Sequence, residues 1–317
     1  MLLPALNKAR DKAKAISCIA IPTPFTENLE LDTESVSRLV EHHVRLGIKG
    51  LFLSSIIGEG LLMSDSMKMD LATEVVKSNQ DRMLLSMLVA DNPAKLMIDN
   101  IKRIKGIGID IAVIGFPFTP IKIKPEFLRK LYLTVLEESS LPIALCHSNK
   151  VSSASLLGEI LLHPKVILVK NFSNDPAKTA MILNSAKGLE NELYTLGGNE
   201  ANCMPSVVRN YDGFLLNSAC FTGFIANAIF EFARADRITD ARETQDYMNS
   251  ILVEIFGLDL DNYLIGQKQM KLELGIFNTT KTLLDCEISD ECIKAIKRIA
   301  QEEKEFLLPE IEPQSED

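Results

Sequence analysis

The chain has 317 residues, 46% of them hydrophobic and 24% charged, which is enough apolar mass for a substantial core. Acidic residues outnumber basic ones, 43 to 34, and the net charge of −9 leaves no basic face for nucleic acid. A small anionic substrate stays admissible, because a site can be positive locally. No run approaches 18 apolar residues, so no membrane-spanning helix is expected.

The opening MLLPALNKARDKAKAIS has a short apolar start and then mixed charge, so no secretory signal is expected. Cysteines stand at 18, 146, 203, 220, 286 and 292, with no CxxC pair. That pattern fits the reduced thiols of a cytoplasmic protein better than a disulfide framework or a zinc site.

Strand-like apolar runs then recur in order: SCIAI (17–21), GLFLS (50–54), MLLSMLV (83–89), DIAVIG (110–115), PIALC (142–146), KVILV (165–169), ELYTL (192–196) and GFLLN (213–217). Several are continuous rather than alternating, as expected when helices cover a parallel sheet. Segments of helical spacing separate them. In DTESVSRLVEHHVRLG, Val36, Leu39, Val40, His43, Val44 and Leu46 share a broad face, Asp32 can cap the start and Gly47 the end.

Eight strand–helix repeats within about 220 residues close most simply as a (β/α)8 TIM barrel. An open doubly wound sheet is the competitor, but it lacks a G-x-G-x-x-G fingerprint here. Residues 1–235 form the expected barrel. Residues 236–310 read as a C-terminal extension of about three helices (238–257, 264–275 and 289–307), and 311–317 as a frayed acidic tail.

The sixth run continues directly into Lys170. A lysine is almost never fully buried unless paired, so a solvated loop residue is one reading. Barrel enzymes, however, place their sites at the C-terminal strand ends. Apolar walls there disfavour the ammonium and lower its pKa. A neutral amine can attack a carbonyl and form an imine.

The stretch IKGLFLSSIIGEGLLMSDSMK runs a strand into a Gly-containing turn and then a helix capped at Ser64. Here the sequence resembles the dihydrodipicolinate synthase and N-acetylneuraminate lyase family of Schiff-base aldolases. The likeness covers nearly the whole chain, through AIPTPFTENLELDTESVSRLVEHHVRLGIKGLFLSSIIGEG, GIDIAVIGFPFTPIKIKPEFL, LPIALCHSN, VILVKNFSND and YTLGGNE. The resemblance implies a barrel lyase without a cofactor, often tetrameric, hence a homo-oligomer (tetramer or dimer). Its substrate would be pyruvate or another small 2-oxo acid, bound to Lys170 as an imine. It places Ser55, Ile56, Ile57, Gly58, Glu59, Cys146 and Leu215 around that substrate.

The departures from the family are equally specific. Its Gly-Thr-Thr-Gly-Glu turn is here Ser55-Ile56-Ile57-Gly58-Glu59, without either threonine hydroxyl. The backbone N–H groups of Ile56 and Ile57 can still form an anion nest. The tyrosine that relays protons in the family is replaced by Cys146. His147 beside it is not expected to form a dyad with Cys146, since neighbours on a strand face opposite ways. The family's arginine after the fifth strand has no match near Lys150 and Val151, and Phe118 and Thr119 stand where a neighbouring subunit's tyrosine would.

These losses point away from a true dihydrodipicolinate synthase. They leave two readings: a divergent lyase in which water or an unidentified group carries the proton, or a non-catalytic relative that binds a 2-oxo acid or serves as a scaffold. A phosphate-handling barrel ranks third, through the turn Gly197-Gly198-Asn199-Glu200, where a tight turn capped by Asn199 is the simpler reading. Glu59 reads as a turn-stabilising acceptor. His42 and His43 read as a part-exposed pair and His163 as a loop residue. No ligand spacing for a metal is present.

Overall fold

The computed structural model describes residues 17–91, 93–115, 124–147, 154–172, 175–187, 193–217, 220–257 and 262–310. Eight parallel strands close into one barrel in sequence order, with β8 returning to β1. They are β1 (Ser17–Ala20), β2 (Gly50–Leu53), β3 (Leu84–Leu88), β4 (Ile111–Ile114), β5 (Ile143–His147), β6 (Val166–Asn171), β7 (Tyr194–Gly197) and β8 (Gly213–Leu216). The expected (β/α)8 barrel is therefore the observed fold.

Helices return the chain between strands: α1 (Thr33–Arg45), α2 (Asp65–Asn79), α3 (Ala94–Ile107), α4 (Pro125–Glu138), α5 (Ala154–Leu161), α6 (Pro176–Lys187), α7 (Cys203–Val208) and α8 (Gly223–Arg234). Their ends follow local chemistry. Asp32 accepts the Ser35 N–H at 3.1 Å to start α1, and Ser64 accepts the Met67 N–H at 3.2 Å to start α2. Gly47, at φ +71°, follows the last residues of α1 in the left-handed conformation that glycine adopts without cost.

Strand side chains alternate between two cores. Ile19, Leu51, Leu85, Ala112 and Leu145 pack outward against the helices. Cys18, Phe52, Leu84, Val113 and Ala144 fill the barrel interior. One strand breaks the alternation. Ile143 pairs with Val166 but Ala144 with Leu168, so β6 carries an extra residue, a bulge. Ile167 and Leu168 both belong to the interior, while Val166 and Val169 lie on the outer side. Beyond the bulge, Lys170 turns inward toward Phe52, and Asn171 turns outward to Thr179 of α6.

After the barrel come α9 (Ile238–Phe256), α10 (Tyr263–Glu273), α11 (Asp290–Glu302) and the single turn α12 (Lys304–Leu307). The stretch 289–307 is thus two helices rather than one.

These helices also correct the reading of His42 and His43, which are 2% and 0% exposed. The His42 Nε2–H donates to the Leu307 carbonyl of α12 at 2.6 Å, which leaves Nδ1 to accept from Lys271 of α10 at 2.9 Å. Lys271 also donates to the Cys220 carbonyl at 3.2 Å, and burial lowers its pKa to about 8. His42 is buried because α10 and α12 cover it, whereas His43 shares the buried face of Val36, Leu39 and Val40.

Candidate active site

Lys170 lies inside β6, not in a loop after it, and is 2% exposed. Its register neighbours are Cys146 on β5 and Leu196 on β7. The amine donates to the Asn217 side-chain carbonyl at the end of β8. Two phenyl rings flank it, Phe52 at 5.7 Å and Phe172 at 5.6 Å from the ring centroids. Among the described residues no carboxylate comes within ion-pair distance of it. Burial lowers its pKa, while Cys146 and Glu200 oppose that shift. The arrangement therefore favours a fraction of neutral, nucleophilic amine.

The ends of β7 and β8 hold this amine in place. Asn217 donates its backbone N–H to the Glu200 carboxylate. Gly198 packs so closely that a Cβ there would lie 2.9 Å from Lys170 Cε, so a side chain would displace the lysine. Asn199 accepts the Ala201 N–H at 3.0 Å and starts a short 3-10 turn, Glu200–Asn202. The segment 197–200 is thus a tight capped turn packed on Lys170. The Cys146 thiol is half-buried, and burial raises its pKa against the pull of Lys170. Leu215 lies buried in the barrel interior. The side chain of His147 and residues Phe118, Thr119, Lys150 and Val151 lie outside the described residues.

The turn after β2 is held unusually firmly. Ser54 and Glu59 both take left-handed φ values, 53° and 56°. Such conformations persist only where surrounding contacts enforce them. Thr23 donates to the Gly58 carbonyl at 2.6 Å, and Gly60 donates to Ser55 O at 3.0 Å. Ile57 is 5% exposed and fills space, whereas Ile56 is 54% exposed. The N–H groups of Ile56 and Ile57 make no hydrogen bond among the described residues, which suits an anion.

The Glu59 carboxylate turns toward the C-terminal helices. It pairs with Lys268 of α10 at 2.6 Å, both side chains almost fully buried, and accepts the Leu283 N–H at 2.5 Å. A Cβ on Gly60 would sit 1.9 Å from the Ser54 carbonyl oxygen. Gly60→Ala is therefore expected to force the turn open at a cost of about 3 kcal/mol. Urea unfolding would measure it, and a variant as stable as the parent would contradict this account.

Asn217, Phe52, Phe172 and Lys268 were not evident as site residues in the sequence. Phe172, two residues after the lysine, was within reach of a local reading. Phe52 and Asn217 meet the site through barrel closure, and Lys268 through the packing of α10 on the turn after β2.

A model of the dihydrodipicolinate synthetase family matches residues 14–281. N-acetylneuraminate lyase from Rhizobium meliloti (strain 1021) is 24% identical over 268 residues, covering 84% of this chain and 83% of the relative. A 4-hydroxy-tetrahydrodipicolinate synthase from Oenococcus oeni is 30% identical over 175 residues, 53% of this chain and 59% of the relative. Among solved structures, CdNal from Clostridium difficile in complex with mannosamine superposes with a TM-score of 0.80 at 20% identity, covering 91% of this chain and 98% of that one. Dihydrodipicolinate synthase from Aquifex aeolicus does so with a TM-score of 0.80 at 19% identity, covering 93% and 100%. At such identities the structures show the fold alone, but the family match spans most of the sequence. The chain belongs to the dihydrodipicolinate synthetase family, whose members are class I aldolase-type lyases.

Proposed function

We propose that this protein is a Schiff-base lyase that acts on a 2-oxo acid through Lys170. The observation that carries the reading is the amine itself: buried, without a partner carboxylate among the described residues, and held by the neutral side chain of Asn217. Its ammonium is disfavoured by burial, so the free amine forms at lower pH than for a solvated lysine.

In this reading the substrate carboxylate rests on the N–H groups of Ile56 and Ile57. The Lys170 amine adds to the C2 carbonyl and water leaves, giving an imine that draws electrons from the C3–C4 bond. Cys146 stays a neutral thiol at neutral pH, since burial raises its pKa, and water is assigned the proton transfers. A homo-oligomer belongs to the same proposal, and Leu61 and Leu62, 43% and 49% exposed on the loop after β2, are apolar surface that a second copy could cover.

The absence of hydroxyls at Ile56, Ile57 and Cys146 favours a second reading, a relative that binds a 2-oxo acid without turning it over. Borohydride reduction in the presence of pyruvate and larger 2-oxo acids tests the imine directly. A stable mass adduct is expected on Lys170 and is expected to vanish in Lys170→Ala. Labelling spread over surface lysines and unchanged in the variant would overturn the lyase reading.

A further inference from the structure

We infer that the substrate of this site carries an apolar, phenyl-sized group beyond its 2-oxo acid end and that cleavage releases an apolar aldehyde. The inference rests on the lyase reading and deepens it. Its basis is what surrounds the amine. Phe52, 2% exposed, forms the floor, and Phe172, 39% exposed, stands at the mouth. Their ring centroids lie 5.7 and 5.6 Å from Lys170 Nζ.

The wall next to the anion nest is also apolar. Ile56 presents its side chain to solvent beside its own N–H, which makes no hydrogen bond among the described residues. Among the described strand-end side chains, Lys170 is the one cation, and its neighbouring carboxylate, Glu200, would repel a second negative charge. Among the described residues a second substrate carboxylate would meet the two rings and Glu200 and find no further cation. An aromatic or long aliphatic group would instead cover the exposed apolar surface of Phe172 and Ile56.

The chemistry balances for a 4-hydroxy-2-oxo acid. Lys170 displaces the C2 oxygen as water. The C4 hydroxyl proton leaves to water, the C3–C4 bond breaks, and its electron pair becomes the C2–C3 enamine as the aldehyde departs. Protonation at C3 and hydrolysis return pyruvate and the free amine.

The test is reductive trapping on the full chain with pyruvate, 2-oxo-4-phenylbutanoate, oxaloacetate and 2-oxoglutarate, recording the concentration that gives half-maximal adduct on Lys170. The phenyl acid is expected to need at least tenfold less than pyruvate, and the two dianions the most. The dianions serve as the opposing arm, since a second cation at the site would favour them. In Phe172→Ala, whose exposed side chain is dispensable to the core, the ratio of phenyl acid to pyruvate is expected to fall toward one. Best trapping by a dianion, equal trapping of phenyl acid and pyruvate, or a preference that survives Phe172→Ala would each overturn the apolar substrate and leave the imine standing. No adduct on Lys170 with any acid would overturn both.

Discussion

Exchanging Lys268 for methionine is expected to destabilise the protein by about 3–5 kcal/mol, the usual result of removing one member of a buried ion pair. Glu59 and Lys268 are 1% and 0% exposed in their side chains and meet at 2.6 Å. Methionine would fill much of the space and leave the carboxylate facing the low-dielectric interior with the Leu283 N–H as its remaining donor. Lys268 also donates to the Lys281 carbonyl at 2.6 Å and lies 4.3 Å from the centroid of the Phe25 ring, so its removal loosens several segments together. The double change Glu59→Gln with Lys268→Met is expected to recover part of the loss, because no unpaired charge then stays inside. A urea-denaturation cycle would show it, and a single Lys268→Met variant within 1 kcal/mol of the parent would refute the account. In the lyase reading, the same variant is expected to need more 2-oxo acid for half-maximal trapping, since the turn that offers the Ile56 and Ile57 amides loses its anchor.

Acidification is expected to cost a comparable amount through His43. Its Nδ1–H donates to the Leu39 carbonyl at 2.7 Å, and burial, followed by the charge of Lys271, lowers its pKa to about 3. Unfolded, the same ring takes up a proton near pH 6.5. Between those values the unfolded chain holds a proton that the folded chain refuses, so stability falls as the pH drops from 6.5 toward 3. The interval corresponds to about 4–5 kcal/mol.

His42 acts in the same direction, its pKa pushed well down by burial and by Lys271, His43 and Arg45. The other groups that face this pair are the Leu307 and Cys220 carbonyls and the Cys220 thiol, which burial keeps neutral. Chemical denaturation of the parent and of His43→Phe at pH 7 and pH 5 would separate the contribution. The parent is expected to lose more stability over that step than the variant. Equal losses would show that His43 does not govern the acid limb.

Much of this architecture was legible in the sequence because it is local. The strand runs, the Asp32 and Ser64 caps and the lysine at the sixth strand each depend on a few adjacent residues. The turn after β2 could be located in the same way. Its left-handed residues could not, since Ser54 and Glu59 are held there by Thr23 and by Lys268 far along the chain.

The misreading of His42 has the same origin. His42 looks exposed until distant helices cover it, since Lys271 and Leu307 belong to another part of the sequence, whereas His43 bonds the Leu39 carbonyl of its own helix on the apolar face. Asn217 stands in the sequence only as the last residue of the eighth strand run. Only the place of β8 in the barrel, between β7 and β1, brings it to the amine.

The bulge in β6 shows where one piece of this information is kept. From Val166 on the outer side, strict alternation would send Lys170 outward to the helix layer and Asn171 inward. The additional position at Ile167 and Leu168 reverses that outcome. The amine's aim is thus stored as a count of residues and not as the identity of any one of them. Substitutions that keep volume within β6 leave the count untouched, whereas loss of one residue would swap the lysine for its neighbour. Two homologues that both retain the lysine can therefore differ in what it faces, and strand length distinguishes them where a matched letter does not.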